Sequence, residues 1–158
     1  MPNYFFDTSA CAKLYHKEPG SDYVERIIVQ SGSLAIISHL SIVEMESVLS
    51  IKVRTGEINE QQVGIARRCL RADLRQRRLL VGPPIQPRHF HAARLLLVKY
   101  GATEGLRTLD ALQLAIALDL KDTGRIDVFI AADQRLCRIA TLAGCPAINP
   151  QQPSATVT

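Results

Sequence analysis

Short runs of unbroken apolar residues alternate along this chain with longer stretches whose apolar positions recur every three or four residues. The first pattern reads as strands buried on both faces, the second as amphipathic helices. Tyr4 to Phe6 forms the first expected strand, followed by a helical stretch from Thr8 or Ser9 to about Tyr15, which Pro19-Gly20 breaks. Ser21 is placed to cap a helix reaching about Gln30, and Leu34 to Ser38 is the second strand. A helix from Ser41 to Thr55 stops at Gly56, and another runs from near Asn59 to about Arg77. Leu79 to Val81 is a brief extended piece ahead of Gly82-Pro83-Pro84.

Pro87 opens a helix that ends at Tyr100-Gly101. Thr108 is the expected cap of an apolar helix, Leu109 to Leu120. Val128 to Ala131 is a third full strand, Asp133 opens a last helix closing at Gly144, and Ala147-Ile148 is a final short strand. Strands separated by helices pair in parallel through right-handed crossovers, so the pattern predicts a three-layer α/β/α sandwich around a central parallel sheet. Residues 1–150 read as a single domain, and Gln151 to Thr158 as a disordered polar tail.

Composition narrows the class. At 158 residues and 47% hydrophobic content, the chain suffices for one core. No apolar run approaches the roughly 18 residues needed to cross a bilayer, and Met1-Pro2-Asn3 does not open a secretion signal. A cytoplasmic protein is expected, with no membrane partner. Cys11, Cys69, Cys137 and Cys145 lack metal-site or redox spacing, and their apolar neighbours predict buried free thiols. The net charge is +4 with a pI of about 9.0, mildly basic.

The acids change the picture. Asp7 directly follows the first strand, and Glu44 sits one turn into the helix after the second. Asp110 lies in the first turn of the helix opened by Thr108, and Asp133 follows the third strand by two residues. In a parallel sheet these positions share the edge where ligands bind. Each acid alone has a structural explanation: an Asx turn for Asp7, a capping box with Ser41 for Glu44, helix-dipole pairing for Asp110, an N-cap for Asp133. Together they leave no segment at that edge without a carboxylate. Such a cluster repels itself unless a cation neutralises it. All-oxygen donors suit Mg²⁺ or Mn²⁺, ions commonly used to hydrolyse phosphodiesters. With those four set aside, 19 Lys and Arg face 11 other acids, a surplus that would attract a polyanion.

The stretches around these acids resemble PIN-domain nucleases, especially VapC-type toxins. They are Tyr4-Phe-Phe-Asp7-Thr-Ser-Ala-Cys-Ala-Lys-Leu-Tyr15, Ile37-Ser-His-Leu-Ser-Ile-Val-Glu44 and Leu106-Arg-Thr-Leu-Asp110-Ala-Leu-Gln-Leu-Ala115, then Phe129-Ile-Ala-Ala-Asp133-Gln-Arg-Leu136 with its following Ala-Gly-Cys-Pro-Ala-Ile-Asn-Pro150. The resemblance implies a parallel sheet in α/β/α layers and metal-dependent RNA cleavage, restrained by a cognate antitoxin. Homodimers are implied too, and Asp7, Glu44, Asp110 and Asp133 become the metal site. Many relatives carry Thr or Ser two residues before the fourth acid, where this chain has Ala131.

Other features are weighed against plainer readings. Six arginines fall from Arg67 to Arg78, and Arg67, Arg71, Arg75 and Arg78 share one helix side, either a solvated face or a phosphate-contacting ridge. His89 and His91 point to different helix sides and read as surface residues, and Glu46 as solvated. Asp127 precedes its strand and belongs to the opposite sheet edge, while Glu104 has no assigned role. A haloacid-dehalogenase phosphatase would need an acid two residues after Asp7, where Ser9 stands. A PIN protein that binds RNA or a partner without cutting, and a PIN nuclease without an antitoxin, remain as alternatives.

Overall fold

A computed structural model describes residues 1–153, and the expected tail lies outside the described residues from position 154 onward. Gln151 and Gln152 donate backbone hydrogen bonds to Asn149, closing a turn after β5. Five strands make one sheet: β1 (Tyr4–Phe6), β2 (Ala35–Ile37), β3 (Leu80–Val81), β4 (Val128–Ile130) and β5 (Ala147–Ile148). Their order is β3-β2-β1-β4-β5 and every pairing is parallel. The chain steps outward from β1 through β2 to β3, then returns to β1's other side with β4. Strand order therefore reverses between β1 and β4, where parallel sheets open a crevice at their carboxyl ends.

The helices are α1 (Thr8–Cys11), α2 (Ser21–Val29), α3 (His39–Arg54), α4 (Glu60–Arg75), α5 (Pro87–Glu104), α6 (Thr108–Asp122) and α7 (Gln134–Leu142), with a 3₁₀ turn at Ala12–Leu14. Strand pleating divides the core, because successive side chains face opposite sides. Phe5, Ile36 and Phe129 point toward α5, α6 and α7, with the Phe5 and Phe129 rings stacked at 5.8 Å. Phe6, Ile37 and Ile130 point the other way, onto α1, α2 and α3. The predicted three-layer sandwich is therefore the observed architecture. Its continuous apolar strands follow from having both faces covered.

The helix starts differ from expectation in instructive ways. Ser21 is the first residue of α2, after Gly20, and its hydroxyl accepts from Glu18 N. Gly20 has φ +93°, and a Cβ there would come within 2.9 Å of the Pro150 carbonyl carbon. Ser38, not Ser41, caps α3, accepting from Ser41 N at 3.3 Å. Arg107 precedes α6 without a side-chain cap, and Thr108 is already helical. α5 continues past Gly101 to Glu104, stopping at Gly105 with φ +72°. The stretch expected as one helix to Tyr15 divides into α1 and the 3₁₀ turn.

Candidate active site

Asp7 ends β1 at the switch point and is only 5% exposed. Its Oδ2 accepts from Ser9 N at 3.2 Å and from the Ser9 hydroxyl at 2.6 Å, so it both caps α1 and is locked in place. The same Ser9 hydroxyl accepts from Ala132 N at 3.0 Å, tying Asp7 to the end of β4. Burial pushes the Asp7 carboxyl up to about 6; Asp110 and Glu44 push the same way, and the Ser9 hydrogen bonds oppose them. Asp110 is also held above the ordinary carboxylate range, first by burial, then by Asp133 and Glu44. Arg107, whose Nε lies 3.6 Å from Asp110 Oδ2, works against that rise. Asp133 caps α7, accepting from Arg135 N at 2.8 Å and Leu136 N at 3.2 Å. The capping readings of Asp7 and Asp133 are thus real, and both residues keep a second carboxylate oxygen outside those bonds.

Glu44 is placed by residues that the sequence reading did not single out. Its Oε1 accepts from Gln113 Nε2 at 2.8 Å and from the Thr8 hydroxyl at 3.1 Å. Gln113 is wholly buried on α6, and its Oε1 accepts from the Ser38 hydroxyl at 2.8 Å. Its amide nitrogen also lies 2.9 Å from the Ser41 hydroxyl. One assignment satisfies the group: the two amide protons go to Glu44 and Ser41, and the Thr8 proton goes to Glu44. Buried polar groups are costly unless fully paired, so this network fixes α3, α6 and α1 relative to one another. It replaces the expected Ser41–Glu44 capping box. Gln113 stands three residues after Asp110, on the same side of α6, a spacing that was the available clue.

All four predicted acids therefore belong to elements that meet at one sheet edge. Asp110 and Asp133 line a cleft of about 410 Å³ between the α5–α6 turn and α7. Glu44 and Asp110 line a neighbouring recess of about 330 Å³. Among the described residues, no three His, Cys, Asp or Glu side chains are disposed to hold an ion as they stand. The donor chemistry nonetheless fits a hard divalent cation: carboxylate oxygens alone, with Asp7 and Asp110 raised partly by neighbouring negative charge. Such an ion would have to draw the carboxylates inward.

Several peripheral expectations need correction. His89 is buried rather than at the surface: its Nδ1 accepts from Gln86 N at 2.9 Å and its Nε2 meets Asp119 Oδ2 at 2.9 Å. Cys69 is exposed, while Cys11, Cys137 and Cys145 are buried as expected. Glu46 is not simply solvated, since Arg67 grips it through Nε and Nη2, which removes Arg67 from any free ridge. Arg78 lies beyond the end of α4 and pairs with Asp73 at 2.8 Å. Asp127 sits at the opposite edge, accepting from Asn3 N, and Glu104 pairs with Arg138 at 3.1 Å.

A family model described as PIN domain matches residues 4–142. Among solved structures, the chain is similar to VapC20 from Mycobacterium tuberculosis, described as a sarcin-ricin loop cleaving toxin, at TM-score 0.61 and 19% identity over 90% of this chain and 95% of that one. It is similar to VapBC2 from Rickettsia felis, solved with a DNA fragment from its promoter, at TM-score 0.56 and 18% identity over 87% of this chain and 92% of that one. A protein from Pyrobaculum aerophilum gives TM-score 0.54 and 20% identity over 92% of this chain and 89% of the other. At these identities the likeness carries the fold. No curated protein matches the sequence.

Proposed function

The chain belongs to the PIN domain family, and we propose that it is a divalent-metal-dependent endoribonuclease, the toxin of a toxin–antitoxin pair. The observation that carries this reading is the convergence of carboxylates from four separate segments on one sheet edge: Asp110 and Asp133 line one cleft, Glu44 and Asp110 line the recess beside it, and Asp7 stands buried at the end of β1. Asp7 and Asp110 would hold the principal Mg²⁺ or Mn²⁺, with Glu44 close by and Asp133 acting through water or on a second ion. When bound, the ion supplies a water of lowered pKa and charge stabilisation at the phosphate. The protein's own part is positioning. Ser9 fixes Asp7, Gln113 and Thr8 fix Glu44, and the α7 amides fix Asp133. Attack by water leaves a 5′-phosphate and a 3′-hydroxyl.

Residues 1–150 act as one nuclease domain in this reading. The likeness to VapBC2 supports a cognate antitoxin partner, and a homodimer belongs to the same proposal on the resemblance to VapC toxins alone. A cytoplasmic site of action belongs to the same proposal; among the described residues, no helix is long and apolar enough to cross a membrane. A non-cutting RNA-binding protein of this fold is favoured by one feature, the missing hydroxyl at Ala131. Ser9 weakens that alternative, because its hydroxyl already links Asp7 to the end of β4.

The test compares RNA cleavage by the wild type and Asp110→Asn with Mn²⁺, with Mg²⁺ and with EDTA. Metal-dependent cleavage that the substitution abolishes supports the proposal. Products ending in a 2′,3′-cyclic phosphate refute the mechanism, and RNA binding without cleavage in either metal favours the non-cutting reading.

A further inference from the structure

The cleft beside Asp110 and Asp133 does not end at the acids. It adjoins a second opening of about 600 Å³, and the two share Gly105, Gln134 and Arg135 in their walls. Arginines mark this course. Arg107 stands at the acid end, 79% exposed and near Asp110; Arg138 stands at the far end, neutralised by Glu104. Arg135 lies between them. Among the described residues its guanidinium has no carboxylate partner, and the hydrogen bond that Arg135 makes comes from its backbone N–H, to Asp133 Oδ1. The side chain lies over the turn at Gly105, where an added Cβ would stand only 2.9 Å from Nη1. The glycine that permits φ +72° therefore also leaves room for the guanidinium against the turn. A planar cation left unpaired in a groove that leads to a carboxylate cluster is suited to one ligand chemistry, a phosphodiester approached through the guanidinium fork.

We infer that Arg135 is a phosphate seat: it binds a backbone phosphate of the RNA next to the one being cut, and the groove from Asp110 and Asp133 past Gly105 toward Arg138 is the track of the strand. This rests on the ribonuclease reading. Arg135 is a binding residue here, and the chemistry stays with the acids. Arg107 is less suited to the role because Asp110 shares its charge, and Arg138 because Glu104 holds it through both Nε and Nη2.

The experiment measures fluorescence anisotropy of a labelled single-stranded RNA in Mg²⁺ over a series of salt concentrations, in an Asp110→Asn background. Arg135→Ala, Arg135→Lys and a control, Arg125→Ala at the opposite sheet edge, are compared, and wild-type cleavage is followed in parallel. Loss of one charged hydrogen-bonded phosphate contact predicts about tenfold weaker binding and a salt slope smaller by about one for Arg135→Ala. Arg135→Lys keeps the slope and loses part of the affinity, because the charge remains without the fork. Arg125→Ala matches its parent. If Arg135→Ala binds with unchanged affinity and slope, or loses no more than Arg125→Ala, the seat is refuted while cleavage by the wild type leaves the ribonuclease reading standing. If the wild type neither binds nor cuts RNA, both fall together.

Discussion

Asp7 offers a test of the site that needs no substrate. In the metal-free protein its carboxyl rises from an ordinary 3.8 to about 6. The folded state therefore holds this proton more tightly than the unfolded chain does. Well below pH 3.8 both states are protonated and nothing is lost, and near pH 4 the loss is still small. As pH climbs toward 6 the unfolded chain ionises first, so stability falls across that window and is level above it. The full penalty is roughly 3 kcal/mol, at 1.36 kcal/mol per tenfold change in the proton equilibrium. Asp7→Asn removes the charge and keeps an amide oxygen where Oδ2 accepts from Ser9, so the neutral side chain stands in for the protonated acid.

The expected result is a variant that melts with the wild type near pH 4 and well above it near pH 7.5. With about 2–4 °C per kcal/mol for a chain of this size, the gap at pH 7.5 is roughly 6–12 °C. Circular-dichroism melts in EDTA at the two pH values measure it. Adding Mn²⁺ should then close the gap from the wild-type side, because an ion held about a hundredfold above its dissociation constant adds about 2.7 kcal/mol. Equal offsets at both pH values, or a variant less stable than the wild type at pH 7.5, would refute the claim that burial and neighbouring acids load this carboxylate.

Other perturbations follow from the same contacts. Gln113→Leu removes the acceptor for the Ser38 hydroxyl and a donor to Glu44, and urea unfolding should show a loss of about 2 kcal/mol. A thiol reagent on the native protein should label Cys69 alone, because Cys11, Cys137 and Cys145 are buried, with burial raising them to about 12, 12 and 11; mass spectrometry of the folded protein checks this, and prompt labelling of Cys137 would contradict it. Gly20→Ala forces a Cβ to within 2.9 Å of the Pro150 backbone at φ +93°, and should lower stability by more than about 1 kcal/mol in the same urea assay.

How far the sequence reached depends on the range of each cause. The strands were legible because Phe5 and Phe6, or Ile36 and Ile37, must both be apolar when a layer covers each face. The placement of the acids at one edge was legible because the sheet topology that follows from those strands brings their ends together. What escaped is set by partners far along the chain. His89 reads as a surface residue from its spacing to His91, since nothing local announces Asp119, thirty residues on in α6. Cys69 has the apolar neighbour Leu70, yet its own position on α4 turns it outward. Glu46 reads as solvated until α4 packs against α3 and delivers Arg67.

Gln113 shows why the supporting residues of a site are harder to read than its acids. In an apolar helix a lone amide looks like a tolerated blemish, and only the folded contacts reveal that it serves Glu44 and two serines together. The same contacts bear on Ala131. Ala131 offers no hydroxyl at the end of β4, and Ser9 from the β1 side joins Asp7 to Ala132 N. Ser9→Ala should therefore free Asp7 from both anchors of that hydroxyl at once, whereas a hydroxyl restored by Ala131→Thr has to fit where the alanine is wholly buried. The first acid is held by the helix that it caps itself. Asp7 thus depends on α1, a helix of only four residues, while Gln113 on α6 and the amides of α7 hold Glu44 and Asp133.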